Sequence, residues 1–252
     1  MNVTYEHKEE LTLIGYYTEI APNEGYEKCP KFWDEEYAGK YGRLFQTMQP
    51  QNAVEKAILD HQIGKYAICA ESENGFNYWI AGEYKGGAVP EGLALFTFPE
   101  SDWAVFKAKG PIPASLQKLN TDVWQEWFPT AGKMLEANGK ATLEVYSAGD
   151  PQSEDYECEI WVPYQKRADV KICQSCGMPI ESEDILGTNA DGSLNPDYCK
   201  YCYTNGAFTD DVSMEEYIKM CGQFGAQAGM TNEEMTAYCA ELFPTLKRWK
   251  KD

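Results

Sequence analysis

Four of the nine cysteines in this chain fall into two closely spaced pairs near its C-terminal end. Cys173 and Cys176 form the first pair, Cys199 and Cys202 form the second, and residues 177–198 separate them. A Cys-x-x-Cys turn directs two thiolates toward one point, so two such turns complete the tetrahedral ligand set that Zn²⁺ prefers. Four protein ligands leave no open position on the metal. The spacing therefore predicts one structural zinc ion rather than a catalytic one.

The other cysteines and the first residues of the chain bear on the cellular compartment. The total of nine is odd, and the N-terminal sequence MNVTYEHKEE lacks the basic start and apolar stretch of an export signal. Disulfides persist mainly in exported proteins, so disulfide pairing is not expected. No apolar run approaches the roughly 18 residues that indicate a membrane span. We expect a cytoplasmic protein in which Cys221 and Cys239 are free and buried in helices.

The charge of the chain narrows the class of ligand. It carries 40 acidic and 22 basic side chains, for a net charge of −18. Nucleic-acid binding relies on basic patches that neutralise phosphates, so no nucleic-acid partner is expected. Anionic substrates are disfavoured for the same reason, whereas cationic and neutral small molecules stay open. Nucleotide cofactors are also disfavoured, because the sequence has neither a P-loop nor a GxGxxG motif.

Residues 1–167 contain two copies of one strand–helix–strand–strand pattern. Each copy begins with a β-branched and aromatic strand (11–20 and 102–110) and continues into a helical region (31–61 and 114–128). A pair of strands closes each copy. The pattern predicts an α+β domain in which a duplicated β-α-β-β unit forms an antiparallel sheet with helices on one side.

Residues 168–252 form a second predicted domain, which contains the four paired cysteines. Ser213 with Glu216, and Thr231 with Glu234, match the capping box, in which the two side chains satisfy amide groups at a helix start. Each box predicts a helix that begins directly after its Ser or Thr. The second domain is therefore predicted to be a small zinc ribbon with a helical tail.

Two segments carry more specific patterns. The first segment combines a strand, a Gly-Pro-x-Pro turn, a helix ending in a Trp-x-x-Trp-x-Pro-like sequence, and a last strand with Glu-x-x-x-Pro. Its sequence is WAVFKAKGPIPASLQKLNTDVWQEWFPTAG, followed later by CEIWVP. In this combination residues 102–163 resemble the second half of the GyrI-like effector-binding family, and residues 3–100 resemble its duplicated fold more loosely. The second segment resembles a separate zinc-ribbon family, and its sequence is CQSCGMPIESEDILGTNADGSLNPDYCKYCYTNGAF.

The GyrI-like resemblance implies a fold and a range of activities. The family's antiparallel sheet curves around a ligand cleft, and its members are multidrug-binding domains of bacterial regulators, drug-sensing proteins, gyrase modulators and hydrolases of cyclopropane-containing genotoxins. Ligands of these kinds are bulky aromatic or cationic compounds. The chain has no helix-turn-helix segment before residue 11, so a DNA-binding regulator is not expected.

The same resemblance implies a carboxylate at the bottom of the cleft, at Glu159. In the last strand Glu159 shares a face with Trp161, and a carboxylate beside aromatic walls attracts lipophilic cations. Partial burial would raise its pKa, which also suits a general base. The alternative is a solvated strand glutamate. Superposing the two copies places Tyr78 opposite Glu159, where it is either a proton donor or a sheet-packing aromatic.

Further aromatic side chains are expected in the walls of the cleft. Trp127 lies on the apolar face of its helix and is expected in the core, whereas Trp124 is offset from that face and is the better wall residue. The full set of ligand-binding candidates is Glu159, Trp161, Tyr78, Tyr16, Trp124 and Tyr146, with Glu159 and Tyr78 as the catalytic candidates.

Three functions follow from these expectations. The first is capture of bulky aromatic or cationic compounds in the cleft. The second is hydrolysis of cyclopropane-containing electrophiles, with Tyr78 donating a proton and Glu159 activating water. The third is an interaction with a protein partner through the zinc ribbon. Binding and hydrolysis need the same pocket, so the sequence leaves both open.

Overall fold

The chain divides into two compact units. The computed structural model describes residues 3–130, 135–167, 170–228 and 230–250. The first unit consists of Met1–Glu126 and Ala137–Gln165, and the second of Trp127–Glu136 and Lys166–Asp252. Among the described residues, no helix combines the length and apolar character that crossing a membrane requires.

The first unit is built on an antiparallel sheet. The strands up to residue 166 are β1 Val3–Lys8, β2 Leu11–Ile20, β3 Tyr66–Ser72, β4 Gly75–Glu83, β5 Ala94–Phe98, β6 Ser101–Lys109, β7 Leu135–Ala137, β8 Ala141–Tyr146 and β9 Glu157–Lys166. Among the described residues the main path of the sheet has the order β1-β6-β9-β8-β3-β4-β2-β5, so the closing strand pairs of the two repeats meet at β3 and β8. The predicted α+β class and the duplicated β-α-β-β pattern are confirmed.

The two repeats differ in the number of their helical segments. The first repeat has α1 Gly25–Phe32, a π-helical segment Trp33–Gly39, α2 Lys40–Thr47 and α3 Ala53–Asp60, and the second has α4 Ala114–Asp122 followed by a π-helical turn Val123–Trp127. Helix α1 begins earlier than the sequence predicted and contains Pro30. Proline has no N–H for the Tyr26 carbonyl, which instead accepts a hydrogen bond from the Gln117 side chain at 2.8 Å. This bond joins the helices of the two repeats.

Alternation along the strands gives the sheet two different faces. On one face Ile14, Ile80 and Tyr78 pack with residues of the first repeat's helices. On the other face Trp79, Trp103 and neighbouring apolar residues form a separate aromatic cluster. Because successive strand residues point to opposite faces, a shift of one position moves a side chain from one cluster to the other.

One glycine in β2 is required by close packing. A Cβ atom on Gly15 would lie 2.2 Å from the Ile80 carbonyl oxygen and 2.8 Å from the Ala81 Cα, both of which belong to backbone that cannot rotate away. We expect Gly15→Ala to destabilise the first unit by about 3 kcal/mol through overpacking. Gly42→Ala is the control, because Gly42 lies in α2 with no atom within 4 Å of its added Cβ. It should stabilise by about 0.5–1 kcal/mol.

Calorimetric unfolding of the two variants tests this pair of expectations. The thermal midpoint of the first unit should fall for Gly15→Ala and rise slightly for Gly42→Ala. Equal midpoints for both variants would contradict the close approach of β2 and β4 at Gly15.

The second unit surrounds the paired cysteines with short strands and two capped helices. Both predicted capping boxes are present, at Ser213 and at Thr231, and each starts a helix as expected. Its elements are β10 Leu186–Thr188, β11 Leu194–Cys199, β12 Tyr203–Thr204, β13 Ala207–Phe208, α5 Met214–Gly222 and α6 Asn232–Leu242.

Candidate functional site

The first unit contains a wide cleft on the helical face of its sheet. The cleft has a volume of about 1520 Å³, and both repeats contribute to its lining. Strands β3, β4 and β8 supply the floor, while α1, the π-helical segment after it and α4 supply the walls. Its lining includes Trp33, Tyr37, Tyr78, Trp124, Glu144 and Tyr146.

Glu144 lies on the floor of this cleft in a directed chain of hydrogen bonds. Its Oε2 accepts from the Tyr78 hydroxyl at 2.8 Å and from the Tyr146 hydroxyl at 2.6 Å. The Trp33 indole nitrogen donates to the Tyr78 oxygen at 2.9 Å. An indole N–H only donates, so Tyr78 receives one bond from Trp33 and directs its own proton to Glu144.

Burial and hydrogen bonding act in opposite directions on the Glu144 carboxyl. Burial raises the pKa of Glu144 above its usual range, while the bonds from Tyr146 and Tyr78 favour the ionised form. Burial and the nearby Glu144 charge raise the pKa of Tyr78 and of Tyr146, so both phenols remain donors at neutral pH. Among the described residues, no basic side chain forms an ion pair with Glu144. The cleft therefore contains a carboxyl group that two phenols solvate and that forms no ion pair with a basic side chain in the described part of the chain.

Aromatic side chains line the wall beside Glu144. The Trp33 ring meets those of Tyr146 and Tyr37 edge to face, with centroids 5.0 Å and 5.2 Å apart. Trp33 and Tyr37 both belong to the π-helical segment Trp33–Gly39. Trp124 lines the cleft from the second repeat and is 40% exposed. Flat apolar surfaces around one carboxylate suit a bulky aromatic or cationic ligand.

The structure brings three of the predicted residues into the cleft and places others elsewhere. Tyr78, Tyr146 and Trp124 line it. Tyr16 does not line it. Its hydroxyl donates to the Glu36 carbonyl at 3.1 Å, and its ring packs against Phe32.

Glu159 and Trp161 lie on the face of the sheet opposite the cleft, which corrects the sequence-based position of the carboxylate. In the pairing of β8 with β9, Val145 is opposite Glu159, whereas Glu144 is opposite Ile160. Strand alternation therefore points Glu144 and Glu159 to different faces. Glu159 accepts from the Trp161 indole at 2.7 Å and pairs with Lys107 at 3.4 Å. Tyr78 is therefore not paired with Glu159 as the sequence predicted, and its hydroxyl donates to Glu144 instead.

Sequence reasoning missed Glu144 and Trp33. In strand β8, Glu144 lies between Thr142 and Tyr146 on the face that points to the helices, and a charged residue at an inward position was the available signal. Trp33 had no comparable signal, because its hydrogen bond to Tyr78 joins residues that are far apart in the chain.

The four paired cysteines of the second unit come together as the spacing predicts. The sulfur atoms of Cys173, Cys176, Cys199 and Cys202 lie within 4.8 Å of one another. The Sγ atoms of Cys199 and Cys202 are 3.4 Å apart, and those of Cys176 and Cys199 are 3.9 Å apart. Tetrahedral Zn²⁺ with Zn–S bonds of about 2.3 Å separates its sulfur ligands by roughly 3.8 Å. The cluster therefore fits a metal ion with four thiolate ligands.

Hydrogen bonds from the second unit support two of these sulfur atoms. The Cys199 amide donates to the Cys173 Sγ at 3.3 Å, and the Tyr217 hydroxyl lies 3.1 Å from the Cys202 Sγ. Tyr217 belongs to α5 and packs against Phe243 after α6. Donors around thiolate ligands offset their negative charge, as the outer shell of metal sites commonly does.

Family models match both parts of the chain. The model of the integron-associated effector binding protein covers residues 4–163, and that of a zinc ribbon domain covers residues 172–250. The transcriptional regulator BrlR of Pseudomonas aeruginosa is 25% identical over 126 residues, which are 48% of this chain. That match spans 45% of the regulator, so this chain covers less than half of its length.

Several solved structures are similar to the first part of the chain. SAV2435 bound to tetraphenylphosphonium matches at 22% identity, with a TM-score of 0.48, over 66% of this chain and 94% of that one. An integron cassette protein from Vibrio cholerae matches at 15% identity, with a TM-score of 0.44, over 65% of this chain and 95% of that one. A hydrolase of Listeria innocua matches at 12% identity, with a TM-score of 0.37, over 65% of this chain and 91% of that one. With the family model matching residues 4–163, the chain belongs to the integron-associated effector binding proteins, a GyrI-like family.

Proposed function

We propose that the first unit binds bulky aromatic or cationic small molecules in its cleft, with Glu144 as the charged group that attracts them. The observation that carries this proposal is the Glu144 carboxylate, which two phenols solvate on the floor of an aromatic cleft without a cationic partner among the described residues. The family to which the chain belongs supports an effector-binding role.

The electrostatics of the cleft favour cations over other ligands. A carboxylate taken out of water is costly unless an opposite charge or hydrogen bonds compensate it. Tyr78 and Tyr146 supply hydrogen bonds to Oε2, and a ligand cation would supply the missing charge. A cation over an aromatic ring gains about 0.5–2 kcal/mol more. The same carboxylate would repel an anionic ligand.

Calorimetric titration with tetraphenylphosphonium tests the proposal. This cation is bulky, aromatic and without a titratable group, so a measured affinity reports on charge and shape alone. We expect saturable binding at one site per chain, and much weaker binding of tetraphenylborate, its anionic counterpart of similar shape. Equal affinities for the two ions, or no binding of the cation, would contradict the proposed role of Glu144.

The affinity for a permanent cation should depend on pH through Glu144. Burial raises the Glu144 pKa above its usual value of 4.5, so protonation removes the charge at a higher pH than for an exposed glutamate. Affinity is therefore full above that raised pKa and falls as the pH is lowered through it, by up to about tenfold per pH unit. Titrations between about pH 4 and pH 8 measure this profile, and Glu144→Gln should flatten it. A wild-type profile without pH dependence would contradict the assignment.

Hydrolysis of a strained electrophile is the second candidate function, and it is supported by Glu144 Oε1, to which neither phenol donates. Glu144 would activate water through this oxygen, and Tyr146 or Tyr78 would turn its hydroxyl from Oε2 to a carbonyl group conjugated with the ring. A cyclopropane-containing aromatic ketone, incubated with substoichiometric protein, tests this function by mass detection of water addition. Multiple turnovers that Glu144→Gln abolishes would establish an enzyme. Protection of one equivalent without product would leave a binding protein.

For the second unit we infer one structural Zn²⁺ ion, held by the four thiolates. The sulfur spacing and the zinc ribbon match support this metal. Three expectations stay predictions from the acidic composition and the sequence patterns. They are the absence of nucleic-acid binding, the cytoplasmic location and a protein partner for the ribbon.

A further inference from the structure

Two thiols line the same cleft as Glu144. Cys29 comes from α1 and Cys69 from β3, and both are half-buried, whereas Cys158 of the first unit is buried. Cys69 lies directly opposite Tyr78 in the pairing of β3 with β4, on the face of the sheet that carries Glu144. The two partly accessible cysteines described in the first unit therefore both open into the proposed ligand site.

The Cys69 thiol points at the oxygen of Glu144 that the phenols leave free. Tyr78 and Tyr146 both donate to Oε2, while the Cys69 Sγ lies 4.0 Å from Oε1 as a donor. A carboxylate in contact with a thiol can accept its proton when the sulfur attacks an electrophile. The geometry thus provides a nucleophile, a base and an aromatic cleft at one place.

We propose that the cleft also captures aromatic α,β-unsaturated carbonyl compounds covalently, with Cys69 as the nucleophile and Glu144 as the proton acceptor. This inference rests on the proposed function, because the cleft must first bind the aromatic part of the compound. The electrophile is a soft carbon centre, which thiols attack more readily than water does.

The reaction needs no oxidant or further reactant. The Cys69 sulfur forms a bond to the β-carbon, the carbon–carbon π bond breaks, and its electron pair moves to the enolate oxygen. The thiol proton goes to Glu144 and then to the α-carbon as the carbonyl re-forms. The product is a thioether at Cys69, and Glu144 returns to its ionised state.

The raised pKa of the thiol slows this reaction, whereas orientation in the cleft accelerates it. Burial, and then the Glu144 charge, raise the pKa of Cys69 well above its usual value, so the thiol is protonated at neutral pH. For each pKa unit by which the thiol is raised, the thiolate fraction falls tenfold, while the nucleophilicity of the thiolate rises about threefold. The reaction rate therefore falls by roughly threefold per pKa unit. Orientation of the docked compound acts against this loss, because effective molarities of oriented groups reach about 10⁵ M or more. Cys69 should therefore react with docked compounds and resist small solutes.

Site-resolved labelling of the full, zinc-loaded chain tests the proposal. The protein is treated with limiting N-phenylmaleimide, an aromatic α,β-unsaturated imide, and each cysteine is quantified by peptide mass mapping over time. Cys221 is the internal control, because it is half-buried as Cys69 is but belongs to the second unit. We expect Cys69 to react at least tenfold faster than Cys221, and excess tetraphenylphosphonium to suppress the difference. Equal rates at the two cysteines would overturn the proposal.

Two substitutions separate the roles of the thiol and the carboxylate. Cys69→Ser should abolish the fast phase, and Cys29→Ser should retain it. Glu144→Gln has two opposite consequences, since it removes the proposed base but also the charge that raises the thiol pKa. Slower labelling of Cys69 in Glu144→Gln, by tenfold or more, is the expected result. Faster labelling would show that Glu144 only suppresses the thiolate and would overturn its role as base.

Failure of this inference can be told from failure of the proposed function. Tetraphenylphosphonium titrated into the Cys69→Ser variant measures binding without the thiol. Retained binding together with slow labelling in the wild type would overturn the covalent capture alone. Loss of cation binding in the wild type itself would overturn the proposed function.

Discussion

Glu144→Gln should lower the affinity of the chain for tetraphenylphosphonium by about 10- to 100-fold. The substitution keeps the size of the side chain and an acceptor oxygen for Tyr78 or Tyr146, but removes the charge on the floor of the cleft. Close charge pairs in desolvated sites contribute about 1.5 kcal/mol or more, and each 1.4 kcal/mol corresponds to a tenfold change in affinity. Calorimetric titration at neutral pH measures the difference.

Glu159→Gln is the matched control for this prediction. It makes the same chemical change on the opposite face of the sheet, where Glu159 already has Lys107 and Trp161 as partners. Its affinity for the cation should stay within about twofold of the wild type, because a screened charge on the far side contributes little. A large loss for Glu159→Gln with none for Glu144→Gln would move the ligand site to the other face.

Removal of the metal should unfold the second unit. Its buried cluster centres on Cys173, Cys199 and Cys202, around which α5 and α6 pack. Zinc binding contributes about 10–16 kcal/mol to small zinc domains, which is as large as the whole 5–15 kcal/mol that usually separates folded from unfolded states. We expect one zinc ion per chain by elemental analysis. A strong chelator or Cys199→Ser should remove it and reduce the helical circular dichroism of α5 and α6.

Cys221→Ser is the control for the metal prediction. Cys221 lies in the same apolar cluster, but it is not among the four clustered sulfur atoms. This variant should retain one zinc ion per chain and the wild-type circular dichroism. A metal-free chain with unchanged helical signal would contradict a structural role for the ion, and loss of zinc in Cys221→Ser would contradict the assigned ligand set.

The elements that sequence reasoning recovered depend on residues close together in the chain. A Cys-x-x-Cys turn, a capping box and an alternating strand are each decided within a few positions, because the groups that interact are neighbours along the backbone. The two capping boxes and the clustered sulfur atoms were predicted for this reason. The duplicated β-α-β-β pattern followed from repetition of such local patterns.

The carboxylate of the cleft could not be obtained in the same way. Glu144 and Glu159 both lie in strands of alternating apolar residues, and each strand by itself allows either face to point to the helices. Only the pairing of β8 with β9, and of β8 with β3, decides which glutamate reaches the cleft. A register difference of one residue exchanges their environments, because side chains along a strand alternate between faces.

By itself, then, the sequence determined the four clustered cysteines, the capped helices, the duplicated α+β pattern and the family. The tertiary structure decided which carboxyl group lies in the cleft. It placed the Trp33 indole against the Tyr78 hydroxyl, and it brought Cys69 and Glu144 from neighbouring strands to one place. These contacts join residues far apart in the chain, so their geometry depends on strand register and helix packing, which local sequence patterns do not specify.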